Sequence, residues 1–372
     1  MKYGDYTYIW ELKDWPNWQF NTAQLSPLIA EIHHARGYLF GNINHLGFDL
    51  QKEAFLEIIS EDALKTSQIE GEFLDQDAVR SSVAKRIGLD IGALPNTNRH
   101  IDGVVEMILD ATESGSMPLT KDKLFEWHEG LFPSNSVLNP IDIGIWRRDA
   151  KGPMQVISGA IGKEKIHYQA PPANLIEQEI DKFITWFNQE SWLDPLVKAG
   201  IAHLWFVTIH PFDDGNGRIA RAIGDMALAR AEKVNLRFYS VSAQIQKERK
   251  TYYELLEKTQ KGSMHIDQWL DWFLNCLLRS IQESQVTLQE VISKANFWQK
   301  HGGQALNQRQ IKIINKLIDG FEGHLTSSKW AAINKCSPDT ALRDIQELIS
   351  LNILRKKDAG GRSTAYELII SH

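Results

Sequence analysis

At 372 residues the chain is longer than one hydrophobic core usually supports, so two or three domains are expected. Apolar residues at 43% and charged residues at 24% are ordinary for soluble globular protein, and a formal charge of −6 argues against non-specific nucleic-acid binding by the whole molecule. The only two cysteines, Cys276 and Cys336, argue against a disulfide framework or a cysteine zinc site, and no apolar run reaches signal-peptide or membrane-span length. A cytoplasmic protein with no membrane association is expected.

Residues 1–20 are rich in Tyr and Trp and read as a short extended piece lying on the body, with most of the 12 tryptophans placed in the core or at domain junctions. Helical spacing of Leu25, Leu28, Ile29, Ile32 and Leu39 predicts a helix over about 24–47, and a second pattern runs from Phe55 to Ile69 and stops at Gly71. The last turn of that helix, Thr66-Ser67-Gln68-Ile69-Glu70, puts a carboxylate at the negative end of the helix dipole. Glu70 is therefore either a solvated surface residue or the partner of a cation elsewhere in the fold. Further helices are predicted over 76–92, 98–114 and 120–131, with a turn at Pro95-Asn96-Thr97.

Glycines and prolines interrupt residues 133–172, where Gln155-Val156-Ile157 and Lys165-Ile166-His167-Tyr168 can pair as a β-hairpin. Its open edge is either a plain surface excursion or a template for an added strand. Helices resume over 174–190 and 195–209, then from the following turn to about 231, then over 243–258 and 264–284.

Between the helices ending at 209 and 231 lies His210-Pro-Phe-Asp-Asp-Gly-Asn-Gly-Arg218, followed by Ile219-Ala-Arg221. Glycines opening a helix leave backbone N–H groups free at the positive end of its dipole, which suits an anion. Arg218 and Arg221 lie one turn apart on that helix and can face the same ligand. His210 is a candidate base near neutral pH, and Asp214 is a hard oxygen ligand suited to Mg²⁺ beside phosphates. Neither a Walker phosphate loop nor an H-E-x-x-H zinc motif is present.

Residues 290–372 carry 12 Lys+Arg against 8 Asp+Glu, which leaves a net −10 on the rest. Helices are predicted over 308–317, 326–332 and 340–351, the last opened by Ser337 as cap and Pro338. Strand patterns at 353–356 and 365–368 flank Gly360-Gly361. Three helices and a two-stranded wing form the winged helix-turn-helix pattern, with Arg343, Arg355, Lys356, Lys357 and Arg362 as its basic side chains.

The string HPFDDGNGRIAR resembles the Fic-domain signature HPFx[DE]GNGRxxR at every defined position. Thr66 to Gly71 resembles the family's inhibitory motif [ST]xxxE[GN], placed N-terminal to the core, and the C-terminal winged segment resembles one found in some members. The resemblance covers about residues 1–285. It implies a mainly α fold with three parts: an N-terminal helical region (1–97) with an inhibitory helix, a Fic helical bundle with a β-hairpin flap (98–285), and a winged helix-turn-helix domain (290–372).

The activity implied is protein adenylylation, in which AMP passes from ATP to a Ser, Thr or Tyr hydroxyl of a target or of the protein itself. Carried over by position, His210 is the base, Asp213 and Asp214 belong to the ATP site with Asp214 as the Mg²⁺ ligand, and Gly215 to Gly217 are the anion hole. Asn216 and Arg218 contact phosphates, and Arg221 binds the γ-phosphate or pairs with inhibitory Glu70. Gly217 bears on reaction type, since relatives acting as kinases carry Lys there. The flap, with Ile157, Ile166 and His167, aligns the target segment. Tyr252 and Tyr253 read either as core aromatics or as adenine-side contacts. Homodimerisation is a family expectation. Two alternatives stay open: removal of AMP by the same site, and a DNA-binding regulator with a Fic-like sensor core. The winged segment is a candidate contact for DNA or for a protein partner.

Overall fold

A computed structural model describes residues 8–90, 97–113, 115–133, 140–150, 152–159, 162–232, 237–301, 303–318, 321, 323–357 and 364–369. Among the described residues the chain forms fourteen α-helices and two antiparallel strand pairs, divided between the units Met1–Gln285 and Val286–His372.

Among the described residues 8–20 of the N-terminal segment there is no strand. A single 3-10 turn, Ile9–Glu11, is followed by tight turns, and only Gln19 makes a bridge, to His265. Aromatic packing holds it instead. Trp15 and Trp18 meet Trp205 edge-on, and the Trp15 indole donates to Glu179 at 2.7 Å. Helices α1 (Thr22–Asn44), α2 (Phe48–Ile69) and α3 (Gln76–Arg86) follow, then α4 (Arg99–Glu113) and α5 (Lys121–Leu131). The turn expected at 95–97 lies mostly outside the described residues. Gly71 adopts φ 85°, a left-handed conformation that ends α2 just past Glu70.

Strands β1 (Gln155–Ser158) and β2 (Lys165–Gln169) form the expected hairpin, followed by α6 (Ala173–Asn188), α7 (Pro195–Ile209) and α8 (Asn216–Glu232). Asp194 caps α7 by accepting from the Leu196 N–H at 2.9 Å, with Pro195 at its first position. From Leu196 to Ile209 every residue except Lys198 is buried, so α7 is the central helix rather than a surface one. Helix α8 lies along α7, and α2 packs against α8. The buried Arg237 bonds Asp225 of α8 and lies 3.9 Å from Asp62 of α2, so one cation serves a carboxylate on each helix.

One helix was expected over 243–258, yet two form: α9 (Val241–Lys247) and α10 (Arg249–Gln260). The break falls at Glu248, whose carboxylate accepts from Arg279 at 2.7 and 2.8 Å and from the Trp272 indole at 2.8 Å. The helix expected over 264–284 is α11 (Asp267–His301), which continues past Gln285.

The second unit contains α12 (Gln308–Ile318), α13 (Ser327–Asn334), α14 (Pro338–Ser350) and the strands β3 (Leu354–Lys356) and β4 (Tyr366–Leu368), in the predicted order. Its own core joins Ile313, Ile314, Trp330, Ile345, Leu348 and Tyr366. Ser337 caps α14 by accepting from the Thr340 N–H at 3.2 Å. The turn at Gly360-Gly361 and Arg362 lie outside the described residues.

Candidate active site

Helix α7 stops where proline follows, because a residue before proline is driven out of the helical region. His210 takes φ 52° and ψ 58°, an uncommon left-handed conformation for a non-glycine residue. Arg147 holds this conformation from the side. Its Nε donates to the His210 carbonyl at 2.8 Å, its backbone N–H to the Pro211 carbonyl at 3.0 Å, and its guanidinium also pairs with Asp149.

The His210 Nδ1 lies 3.1 Å from the Val207 carbonyl, which can only accept. Nδ1 therefore carries the proton, and Nε2 is left as the basic nitrogen. Burial pushes the imidazole pKa down to about 4, with the Val207 contact opposing and Arg147 adding to the shift. The ring is neutral at physiological pH.

The turn after Pro211 is braced from within. Asn216 Oδ1 accepts from the Phe212 N–H at 3.0 Å, while its Nδ2 donates to the Phe212 carbonyl at 2.8 Å. The carboxamide expected on phosphate is thus engaged in shaping the loop. Phe212 stacks on His128 at 4.1 Å between centroids. Burial lowers the His128 pKa to about 4, and its Nδ1 accepts from the Gly144 N–H at 3.0 Å. Gly215 adopts φ 78°, and a Cβ there would lie 2.9 Å from the Phe132 ring. The first-turn N–H groups of α8 have no acceptor within the helix and so form an anion cradle.

Both arginines of the turn meet carboxylates from the end of α2. Arg221 Nη2 lies 2.8 Å from Glu70 Oε1, and the same guanidinium donates to Thr66 Oγ1 at 2.7 Å and to the Thr66 carbonyl at 2.9 Å. Burial works against ionisation of Glu70, but Arg221, Arg218 and the Tyr253 hydroxyl outweigh it and hold the carboxyl below its ordinary range. Arg218 Nη1 donates to Glu72 Oε2 at 3.0 Å, and Glu72 also pairs with His100 at 2.5 Å. Even so, Arg218 Nε and Arg221 Nη1 are buried without a hydrogen-bond acceptor. Such donors are costly to leave unmet, which suits a site built for an anion.

Beside these groups opens a cleft of about 950 Å³, a volume ordinary for a small-molecule site. Its wall brings together His210, Asp213, Asp214, Gly215, Asn216 and Gly217 with Glu70, Tyr252, Ile157 and His167; Ile166, Arg218 and Arg221 are not part of it. Asp213 accepts from the Asp142 N–H at 2.8 Å, whereas Asp214 is exposed and accepts from the Gly215 N–H at 2.6 Å. Tyr252 points its hydroxyl at His203 Nε2, 2.9 Å away, so the tyrosine that reaches Glu70 is Tyr253, at 3.2 Å. Among the described residues no three His, Cys, Asp or Glu converge as a metal cage. A single exposed carboxylate fits Mg²⁺ only when phosphates complete its coordination.

Three residues of the site, Arg147, His128 and Glu72, were not singled out from the sequence. Arg147 and His128 carry no local signal, but Glu72 lies two residues past Glu70 and faces the other arginine of the motif.

The site is thus a helical body that presents helix-start N–H groups, a neutral imidazole and two buried arginines side by side. Residues 118–228 match the Fic/DOC family model, and residues 8–89 match a domain of unknown function, DUF4172. The protein contains a Fic/DOC domain. It is 27% identical over 217 residues to the protein adenylyltransferase Fic of Drosophila ananassae, a match covering 58% of this chain and 39% of that protein. Over 97 residues it is 28% identical to a probable protein adenylyltransferase of Aquifex aeolicus, covering 26% of this chain and 28% of the relative. The chain thus spans well under half the length of these curated relatives. A Fic family protein from Desulfovibrio desulfuricans G20 shares the fold with a TM-score of 0.54 at 19% identity, covering 95% of this chain and 98% of that one. No helix among the described residues is long and apolar enough to cross a membrane.

Proposed function

We propose that the cleft transfers AMP from ATP to the hydroxyl of a protein Ser, Thr or Tyr, and that the end of α2 restrains it. The observation that carries this reading is the position of Glu70. Its Oε1 sits on Arg221 and lies 2.3 Å from where a Cβ on Gly217 would be, so a protein carboxylate occupies the place of an anion at the cradle.

In the transfer, the α8 N-terminus and the two arginines hold the phosphates by charge-assisted hydrogen bonds. His210 Nε2 takes the proton from the attacking hydroxyl as its oxygen bonds to the α-phosphorus. The bond from that phosphorus to the bridging oxygen breaks, and pyrophosphate leaves with the electron pair. Asp214 would hold Mg²⁺ together with the phosphates, neutralising their charge. Because Arg221 cannot serve Glu70 and a γ-phosphate fully at once, Glu70 competes with productive nucleotide binding. Incubating the wild type, Glu70→Gly and His210→Ala with labelled ATP and Mg²⁺ tests the reading. Labelling of an added Ser-containing peptide should rise in Glu70→Gly and vanish in His210→Ala; no rise in Glu70→Gly would sink the restraint.

A second reading uses the same groups for hydrolysis, in which a water's oxygen bonds to the phosphorus of a protein-bound AMP, the bond to the side-chain oxygen breaks, and AMP is released. Glu70 borders the cleft as a carboxylate and can orient a water towards an adenylylated side chain. Loss of AMP from a pre-adenylylated protein with wild type, but not with Glu70→Gly, would favour it. In the second unit, Arg355 donates to Glu367 on the facing strand at 2.8 Å, and Lys357 lies 3.7 Å from the same carboxylate, so part of the charge offered to DNA is already paired.

A further inference from the structure

A second constellation in the cleft wall has a different chemistry. Ser158 Oγ lies 2.6 Å from His167 Nε2, and His167 Nδ1 lies 2.5 Å from Glu257 Oε2, so β1, β2 and α10 each supply one member of a hydroxyl–imidazole–carboxylate relay. The hairpin delivers the imidazole by an irregularity. Pairing passes from Val156 opposite Tyr168 to Ile157 opposite Ile166, which leaves His167 as the extra residue of a bulge. Bulges re-aim side chains and recur beside active sites.

Burial works against ionisation of Glu257, but hydrogen bonds from Lys261 and His167 outweigh it and bring the carboxyl down to about 2. Facing an ionised carboxylate, Nδ1 must donate, so in the neutral ring Nε2 accepts the Ser158 proton. The other hydroxyls of the wall are already engaged. Tyr168 donates to the Thr208 carbonyl at 2.6 Å, Tyr252 pairs with the buried His203, and Tyr253 lies against Glu70. Ser158 is exposed and aimed at a base.

We propose that Ser158 is an adenylylation site of the protein itself, an inference that rests on the AMP-transfer reading above. The Ser158 oxygen bonds to the α-phosphorus of ATP held in the cleft and gives its proton to His167 Nε2. The bond from that phosphorus to the oxygen bridging to the β-phosphate breaks, and pyrophosphate departs with the electron pair. Glu257 remains ionised against the imidazolium so formed. The product is a phosphodiester on the flap.

The full chain carrying Glu70→Gly is incubated with ATP and Mg²⁺, alone and with an added Ser-containing peptide, and modified residues are mapped by mass spectrometry. AMP is expected on Ser158, and adding His167→Gln should slow that modification by about 10²-fold, the lower range for loss of a general base. Ser158→Thr, which keeps a hydroxyl, should still be labelled at position 158. The inference is overturned if AMP maps only to other residues or to the peptide, an outcome that leaves the AMP-transfer reading standing. It is also overturned if His167→Gln labels Ser158 at the unaltered rate while its thermal melt matches that of its parent. If AMP appears on nothing, the proposed function fails as well.

Discussion

Glu70 and Arg221 are joined by an ion pair of 2.8 Å, and Glu70 Oε1 and Arg221 Nη1 both lie within 3.3 Å of where a Cβ on Gly217 would be. If this pair restrains AMP transfer, Glu70→Gly should raise the initial rate with labelled ATP by about tenfold or more, as expected for a coupling of ~1–3 kcal/mol. The gain should appear with stability unchanged or lower, which thermal denaturation of both proteins will check.

The pair between Glu72 and Arg218 should contribute less. The Glu72 side chain is 36% exposed, so solvent screens it. Glu72→Ala is expected to raise the rate by less than about fivefold, in line with the ~0.2–1 kcal/mol typical of exposed pairs. A rise equal to that of Glu70→Gly in the same assay would show that Arg218 is the controlling arginine.

His210 has its pKa lowered to about 4, and a base must be unprotonated to act. A lowered value means that the neutral, working form persists as pH falls, until the pH approaches that of the shifted group. The acid limb of kcat/KM should therefore lie well below the ~6.5 of an ordinary histidine. An acid limb centred near that ordinary value would contradict the assignment of this imidazole as base. His210→Ala should lower kcat by about 10²–10⁴-fold.

Arg147 is buried and holds the backbone on which His210 is mounted. Arg147→Met leaves the His210 carbonyl without its donor and Asp149 without its cation, at a cost of about 3–5 kcal/mol. Chemical denaturation should register that loss, and AMP transfer should fall because the imidazole is no longer aimed.

Asp214 is the exposed carboxylate suited to sharing a metal with phosphates. Chelation with EDTA should abolish transfer, and Asp214→Asn should raise the Mg²⁺ concentration giving half-maximal rate by at least roughly tenfold, since loss of even an outer-shell partner costs ~10–100-fold. An unchanged Mg²⁺ dependence would remove Asp214 from the metal's coordination.

Local chemistry was legible from the residues; partnership across the chain was less so. The run from α7 through the cradle to α8 is contiguous, so its apolar helices, glycine turn and His210 could be read together. Glu70 was noticeable because a carboxylate at a helix C-terminus opposes the dipole, and the fold supplies the cation that explains it. Arg147 was hidden in a glycine- and proline-rich stretch, 63 residues from the carbonyl it holds. The division of 243–258 was equally hidden, since Glu248 answers to Arg279 and Trp272 on another helix. Asn216 shows the converse: its motif position was plain, but its side chain braces Phe212.

The order of these elements along the chain has a consequence for synthesis. Glu72 precedes Arg218 by 146 residues, and Thr66 precedes Arg221 by 155. A ribosome makes the N-terminal part first, and folding proceeds in that direction. Glu70 and Glu72 therefore leave the ribosome before the arginines they meet, so the counter-charges are already in the chain when α8 is made. A growing chain has no stage at which the cradle exists without them.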